Sequence, residues 1–294
     1  RKDVLDQLPS VVSHRQMLEQ DKEQLNMIAD LYSGKIDLSD CIEGREIEGA
    51  DILEVTITGY TKMALSDPYI LFPESQKRPA KYKSPKTEEI IRILTEETNG
   101  EKTIIYTPYR RYMDVLVDTL KHSGTLPDCY KNPLCISGEV SSEDREKNKE
   151  LFNTSDSHNV IIINDAGAEA INLQTAQCMI LTTMPMTFGK LVQVVGRYNR
   201  IGSKHESLSL FYLLHEDSQD IDEYGIINQQ GVLVTSVTKE DYEGMLDLDY
   251  LNSISDSDEK ISENDIEYKI HHFGFCQLVL KYHFSLAYLN PTPI

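Results

Sequence analysis

Residues 159–181 read NVIIINDAGAEAINLQTAQCMIL, and the reading of this stretch decides the fold. Two short apolar runs, 160–163 and 178–181, frame a turn of small residues. Each run is too short for a buried helix and is apolar at every position rather than at alternate ones. That is the pattern of a strand covered on both faces, as in a parallel sheet. Between them, Ala166, Gly167 and Ala168 suit a tight strand-to-helix turn, and EAINLQ is placed in the turn and the helix that follows.

The same alternation extends outward in both directions. SPKTEEIIRILTEETNG (84–100) is an amphipathic helix with Ser84 as N-cap, Pro85 in its first turn and Gly100 as its stop. KTIIYTP (102–108) is a strand, RRYMDVLVDTLKHSG (110–124) a helix and NPLCISG (132–138) a strand. SSEDREKNKELFN (141–153) is a helix opened by Ser141 or Ser142. Downstream, FGKLVQVVGRYNR (188–200) is a helix and LSLFYLL (208–214) a strand. The class is α/β: a three-layer parallel sheet with right-handed crossovers.

The flanks are less regular. Residues 1–35 read as a strand followed by a helix, DILEVTITGY (51–60) as extended, and TKMALSDPYIL (61–71) as a short helix ended by Asp67-Pro68. Residues 73–86 form a basic, proline-bearing linker, and 216–267 are acidic and poorly periodic. The ending FGFCQLVLKYHFSLAYL is apolar and aromatic and needs a partner surface. This divides the chain into a linking segment (1–83), the α/β lobe (84–215) and an acidic extension (216–294).

The chain has 294 residues and a formal net charge of −19. That balance argues against indiscriminate capture of nucleic acid, which needs local cations, but the basic residues cluster at 75–86, 109–112 and 196–205. The five cysteines, Cys41, Cys129, Cys135, Cys178 and Cys276, form no CxxC. They fit a reducing, intracellular compartment rather than a zinc site or a disulfide framework, and Cys135 and Cys178 read as core thiols. His271-His272 has no third ligand nearby, so no metal site is expected. No run is long enough to cross a bilayer. The opening RKDVLDQLPS has neither the apolar core of a signal peptide nor an initiator Met, which suggests an excised fragment.

In parallel sheets, function gathers at the carboxyl ends of the strands. There the small-residue turn at 166–168 offers backbone N–H groups to an anion. The next helix brings Gln193, Arg197 and Arg200 to the same rim. A pair of guanidinium groups suits a phosphate chain and the charge that develops on a transferring phosphoryl group. An isolated R-x-x-R is usually a surface ion pair; its place after this turn favours the anion reading.

Taken in order, LCISGEVSSEDREKNKELFN, VIIINDAGAEAINLQTAQCMIL and QVVGRYNRIGS resemble consecutive motifs of the C-terminal RecA-like lobe of superfamily-two helicases, most like Swi/Snf-type DNA translocases. The resemblance runs over roughly 55–215, with a weaker echo at 1–35. It implies that Arg200 is an arginine finger for the γ-phosphate of ATP, Arg197 its companion, and Gln193 a hydrogen-bonding group near the nucleotide. It places Gly167, Glu169 and Asn172 in the turn linking ATP to the nucleic-acid track. Thr107, Ser137 and Gly138 fall where the family meets the sugar-phosphate backbone, while Arg110, in YRRY (109–112), reads equally as a solvated helix start or a phosphate contact. The implied ligands are ATP and Mg²⁺, held mainly by a first lobe, and the implied partners are that lobe and nucleic acid, with duplex DNA ahead of RNA. Ala168 and Glu169 depart from the glycine-rich turn of the family, and Ser203 stands where its translocases carry glutamine. No G-x-x-x-x-G-K-[ST] occurs in the chain, so hydrolysis by these residues alone is not expected. The alternative is a non-catalytic module that keeps the lobe fold and recruits a protein partner through its acidic and aromatic tail.

Overall fold

The computed structural model describes residues 8–36, 50–72, 78–79, 81–165, 171–200, 202–238, 242–247 and 249–250. The chain falls into two units, Arg1–Asp247 and Leu248–Ile294, and nearly all the described residues lie in the first. The aromatic ending and His271-His272 lie outside the described residues.

The strands are β1 (Ser10–Leu18), β2 (Thr103–Tyr106), β3 (Leu134–Ile136), β4 (Val160–Ile163), β5 (Cys178–Leu181) and β6 (Ser207–His215). They form one sheet in the order β1-β6-β5-β2-β4-β3, and every pairing is parallel. The helices are α1 (Lys22–Tyr32), α2 (Ala50–Ser66), α3 (Pro85–Arg92), α4 (Arg110–Lys121), α5 (Ser142–Thr154), α6 (Phe188–Val195) and α7 (Gln219–Thr238).

The register explains the unbroken apolar runs. Ile105 pairs with Ile162 and Ile180, and Ile180 with Phe211. This row packs on Ile90, Ile93 and Leu94 beside α4's Tyr112, Met113, Leu116 and Leu120. The alternate row of Ile104, Ile161, Met179 and Leu210 faces the other way and is equally buried. Both faces of the central strands are therefore covered. β1 lies at the sheet edge, with Val12 and Met17 exposed. Residues 243–247 shield part of that edge: Ser13 Oγ donates to the Gly244 carbonyl at 2.6 Å, and Arg15 pairs with Asp247 at 3.3 Å. Gly244 has to be glycine-sized, because a Cβ there would lie 2.3 Å from the Val11 carbonyl oxygen.

Three expectations are corrected. DILEVTITGY is not extended; it lies within the helix α2. Its β-branched residues suggested a strand, but Tyr60, Thr61, Ala64 and Leu65 are buried at helical spacing, and Tyr60 and Ala64 pack with Leu31 of α1. The acidic stretch after 216 opens with a twenty-residue helix, α7. Its buried face carries Asp220, Asn228 and Gly231 beside Tyr224 and Ile227, so hydropathy could not reveal it. Between β4 and β5, the described residues 171–177 form a turn and irregular backbone and no helix.

α3 begins as the sequence predicts. Ser84 Oγ accepts from the Thr87 N–H at 3.3 Å, and Pro85 follows at the first helical position. Lys86 comes next, fully buried, although a cation at a helix N-terminus opposes the helix dipole. Its partners lie elsewhere in the fold. Lys86 Nζ donates to the Thr182 carbonyl at 2.6 Å and pairs with Asp220 at 2.7 Å. Asp220 Oδ2 is also 3.0 Å from His215 Nδ1, and His215 Nε2 is 3.2 Å from the Gln24 amide nitrogen. That amide donates to the Leu65 carbonyl at 2.8 Å, and Gln24 Oε1 accepts from the Asp21 N–H. One occluded polar cluster thus joins α1, α2, α3, β5, β6 and α7.

Burial would raise the Asp220 carboxyl, but Lys86 and His215 outweigh it and hold it at about 2. Burial pulls His215 below its usual value. The ring is therefore neutral near pH 7, with its proton on Nδ1 toward Asp220 and Nε2 accepting from Gln24.

Candidate functional site

Because all six strands run parallel, their carboxyl ends line one rim of the sheet. Thr107 follows β2, with its N–H on the Ile163 carbonyl at 3.0 Å. The side chain of Thr107 is buried, and its hydroxyl accepts from the Tyr109 N–H at 3.3 Å. Ser137 follows β3; its hydroxyl is buried and has no hydrogen-bond partner among the described residues. Gly138 beside it is exposed, and its carbonyl accepts from Arg145 Nη2 at 2.8 Å. Arg110, in the first turn of α4, pairs with Asp114 and, at 3.1 Å, with Glu139 of the same β3 loop. Thr107, Ser137, Gly138 and Arg110 therefore group at the ends of β2 and β3.

A second group forms around α6. The helix ends at Val195, earlier than the sequence suggests, with Gly196 as its C-cap. Gly196 N–H bonds the Val192 carbonyl at 2.9 Å and Arg197 N–H the Val194 carbonyl at 3.1 Å, a tightening turn that unwinds the helix. Gln193 lies exposed on the helix, while Arg197 and Arg200 are half-buried in the chain just after it. The two arginines are thus set by this turn rather than by one helical face. Arg200 folds back so that its Nε donates to the Gly196 carbonyl at 2.8 Å. Among the described residues, the Arg200 side chain bonds this carbonyl and pairs with no carboxylate.

The segment after β4 meets this turn directly: the Leu173 N–H donates to the Arg197 carbonyl at 2.9 Å. Asn172 shapes that segment. Its Oδ1 accepts from the Gln174 N–H at 3.3 Å, and its carbonyl accepts from Asn153 of α5 at 3.2 Å. Asn172 is thereby next to the residue that bonds the arginine turn. Gly167 and Glu169 lie outside the described residues.

The sequence reading passed over two residues at this rim. Asp165, two residues after β4, accepts from Tyr106 Oη at 2.9 Å and pairs with Lys190 of α6 at 3.2 Å. Burial, then the Asp165 charge, pushes the Tyr106 hydroxyl above its usual range, so it stays a donor. The only local signal was an acidic residue beside a turn expected to bind anions. Cys135 and Cys178 fit the core reading: burial pushes the Cys135 thiol up to about 11 and the Cys178 thiol higher still. Neither is a thiolate nucleophile near neutral pH. Among the described residues, no group of three or more His, Cys, Asp or Glu side chains is placed to hold a metal ion, and no helix is long and apolar enough to cross a membrane.

Residues 85–202 match the helicase conserved C-terminal domain family. The chain is similar to the transcription regulatory protein SNF2 of Saccharomyces cerevisiae, with 26% identity over 173 residues. That match covers 55% of this chain and 10% of SNF2, so the chain spans about a tenth of that relative's length. The fold is similar to the C-terminal part of the Fun30 ATPase domain, with a TM-score of 0.54 and 15% identity over 75% of this chain and 89% of that one. It is also similar to the SWI2/SNF2 ATPase core of Sulfolobus solfataricus in complex with dsDNA. There the TM-score is 0.57, with 18% identity over 85% of this chain and 51% of that one.

Proposed function

We propose that this chain, which carries the C-terminal RecA-like lobe of a superfamily-two helicase of Swi/Snf type, is the second motor lobe of an ATP-dependent nucleic-acid translocase. The observation that carries the reading is Arg200, a half-buried guanidinium anchored through Nε and unmatched by a carboxylate among the described residues. Such a group suits an anion brought from outside the lobe.

The donor set fits the triphosphate of ATP: two guanidinium groups and the Gln193 amide, with Asn172 holding the neighbouring turn. Bound between two lobes, ATP supplies the phosphoryl bond whose cleavage drives movement. Arg200 meets the negative charge that grows on the transferring phosphoryl group, and its Nε tie to Gly196 keeps it oriented for that contact. Arg197 reinforces the positive field, and Gln193 orients by hydrogen bonding. Mg²⁺ belongs with the first lobe: among the described residues, Asp165 at this rim is already shared with Tyr106 and Lys190. The group at Thr107, Ser137, Gly138 and Arg110 forms part of the track along the nucleic-acid backbone, through N–H and hydroxyl groups more than through net charge. Duplex DNA is the favoured substrate, a reading supported by the SWI2/SNF2 core in complex with dsDNA.

The test is Arg200→Ala in the intact polypeptide that includes the Walker-bearing lobe. ATP hydrolysis should drop by about 10³–10⁵-fold, with the far-UV circular dichroism unchanged. Hydrolysis near the wild-type rate would reject the assignment. Measuring stimulation by duplex DNA, single strands and RNA in parallel separates the substrate classes.

A further inference from the structure

We propose that Asp165 is a positioning residue, whose carboxylate fixes the carboxyl end of β2 against α6 and so sets the spacing between Thr107 and Gln193. Both ties end on one oxygen. Tyr106 Oη donates to Asp165 Oδ1 at 2.9 Å, and Lys190 Nζ lies 3.2 Å from the same atom. Tyr106 immediately precedes Thr107, and Lys190 lies three residues before Gln193, one helical turn away on the same face. A single side chain at the end of β4 therefore spans the ends of two adjacent strands and the helix that carries the nucleotide-side amide.

A purely stabilising role fits the arrangement poorly. Lys190 is 27% exposed and Asp165 50% exposed, and an ion pair in so much solvent contributes at most about 1 kcal/mol. The other anchor is rigid: the Tyr106 ring is 1% exposed inside the sheet. A carboxylate hung on a packed ring transmits position accurately, which is what a site shared between two ligands requires. The effect on turnover rests on the motor reading given above; the geometric tie does not.

The experiment compares Asp165→Asn, Lys190→Met and the exchanged pair Asp165→Lys with Lys190→Asp in the intact polypeptide. Amide hydrogen exchange is read at Thr107 and along Lys190–Val195, together with kcat and KM for ATP in the presence of duplex DNA. Each single variant should speed exchange at those amides. Each should also lower kcat by roughly 2–30-fold with KM for ATP unchanged, and the exchanged pair should recover both. Unchanged exchange in both single variants overturns the proposal, as does faster exchange spread evenly over the sheet. A wild-type protein with no DNA-stimulated hydrolysis, whose exchange nonetheless responds locally, sinks the motor reading and leaves the tie standing.

Discussion

Two clusters of charge in this molecule use the same residue types for opposite ends. Lys86, Asp220, His215 and Gln24 are closed off from solvent, and each polar group meets a partner inside the fold. At the rim, Arg200, Asp165 and Lys190 stay partly exposed and hold one or two contacts each. The difference teaches that burial, more than residue identity, separates a cation that joins elements from one that awaits a ligand. An occluded ammonium without its carboxylate is costly, whereas a half-solvated guanidinium can face an open cleft at little cost.

The contrast breaks most visibly at Lys86. Lys86→Met leaves Asp220 charged, occluded and short of its main counterion. It should destabilise the folded chain by about 3–5 kcal/mol, read as a shift in the urea midpoint. A loss as small as that of a surface substitution would erase the distinction between the clusters. Acid titration sharpens it next. The unfolded chain takes up the histidine proton near pH 6.5, while folded His215, whose value lies lower, refuses it. Stability is therefore full above 6.5 and falls by about 1.4 kcal/mol per pH unit below it, until the folded ring protonates. Asp220, held at about 2 against an ordinary 3.8, adds a second loss as the pH drops from about 4 to 2. His215→Gln should flatten the first limb, and an unaltered profile would count against the neutral ring. Ser84→Ala removes the cap beside Lys86 and should cost about 1 kcal/mol by thermal melting. The smallest effect belongs to the rim: Arg110→Ala, which breaks two exposed pairs, should change stability by less than about 1 kcal/mol. If DNA-stimulated hydrolysis falls in that variant while the melting curve holds, Arg110 serves the track rather than the fold.

The sheet was legible because 160–163 and 178–181 carry their environment in every residue: apolar side chains on both faces leave few alternatives. The α3 cap at Ser84 and the α5 cap at Ser141 were also legible, since capping is a local interaction. Long-range compensation was hidden. α2 looked extended because its Thr and Val residues favour strands, and only its packing on α1 made it helical. α7 hid an aspartate and an asparagine on its buried face, whose partners lie in other elements. α6 ended early because Gly196 broke its last turn, moving Arg197 and Arg200 off the helix while keeping them beside Asn172. Lys86 did leave a trace, a cation in the first turn of a helix, where the dipole disfavours it.

The position of β1 has a consequence during synthesis. Ser10 bonds Glu206, 196 positions later in the chain, so β1 has no partner strand in this sheet until nearly the whole lobe has been made. At about 5–20 residues per second that interval is roughly 10–40 s, and throughout it Val12 and Met17 face the nascent chain's surroundings. Ribosome-bound chains stalled before Ser207 should be cut by protease within Ser10–Leu18, and those stalled well past Asp247 should resist.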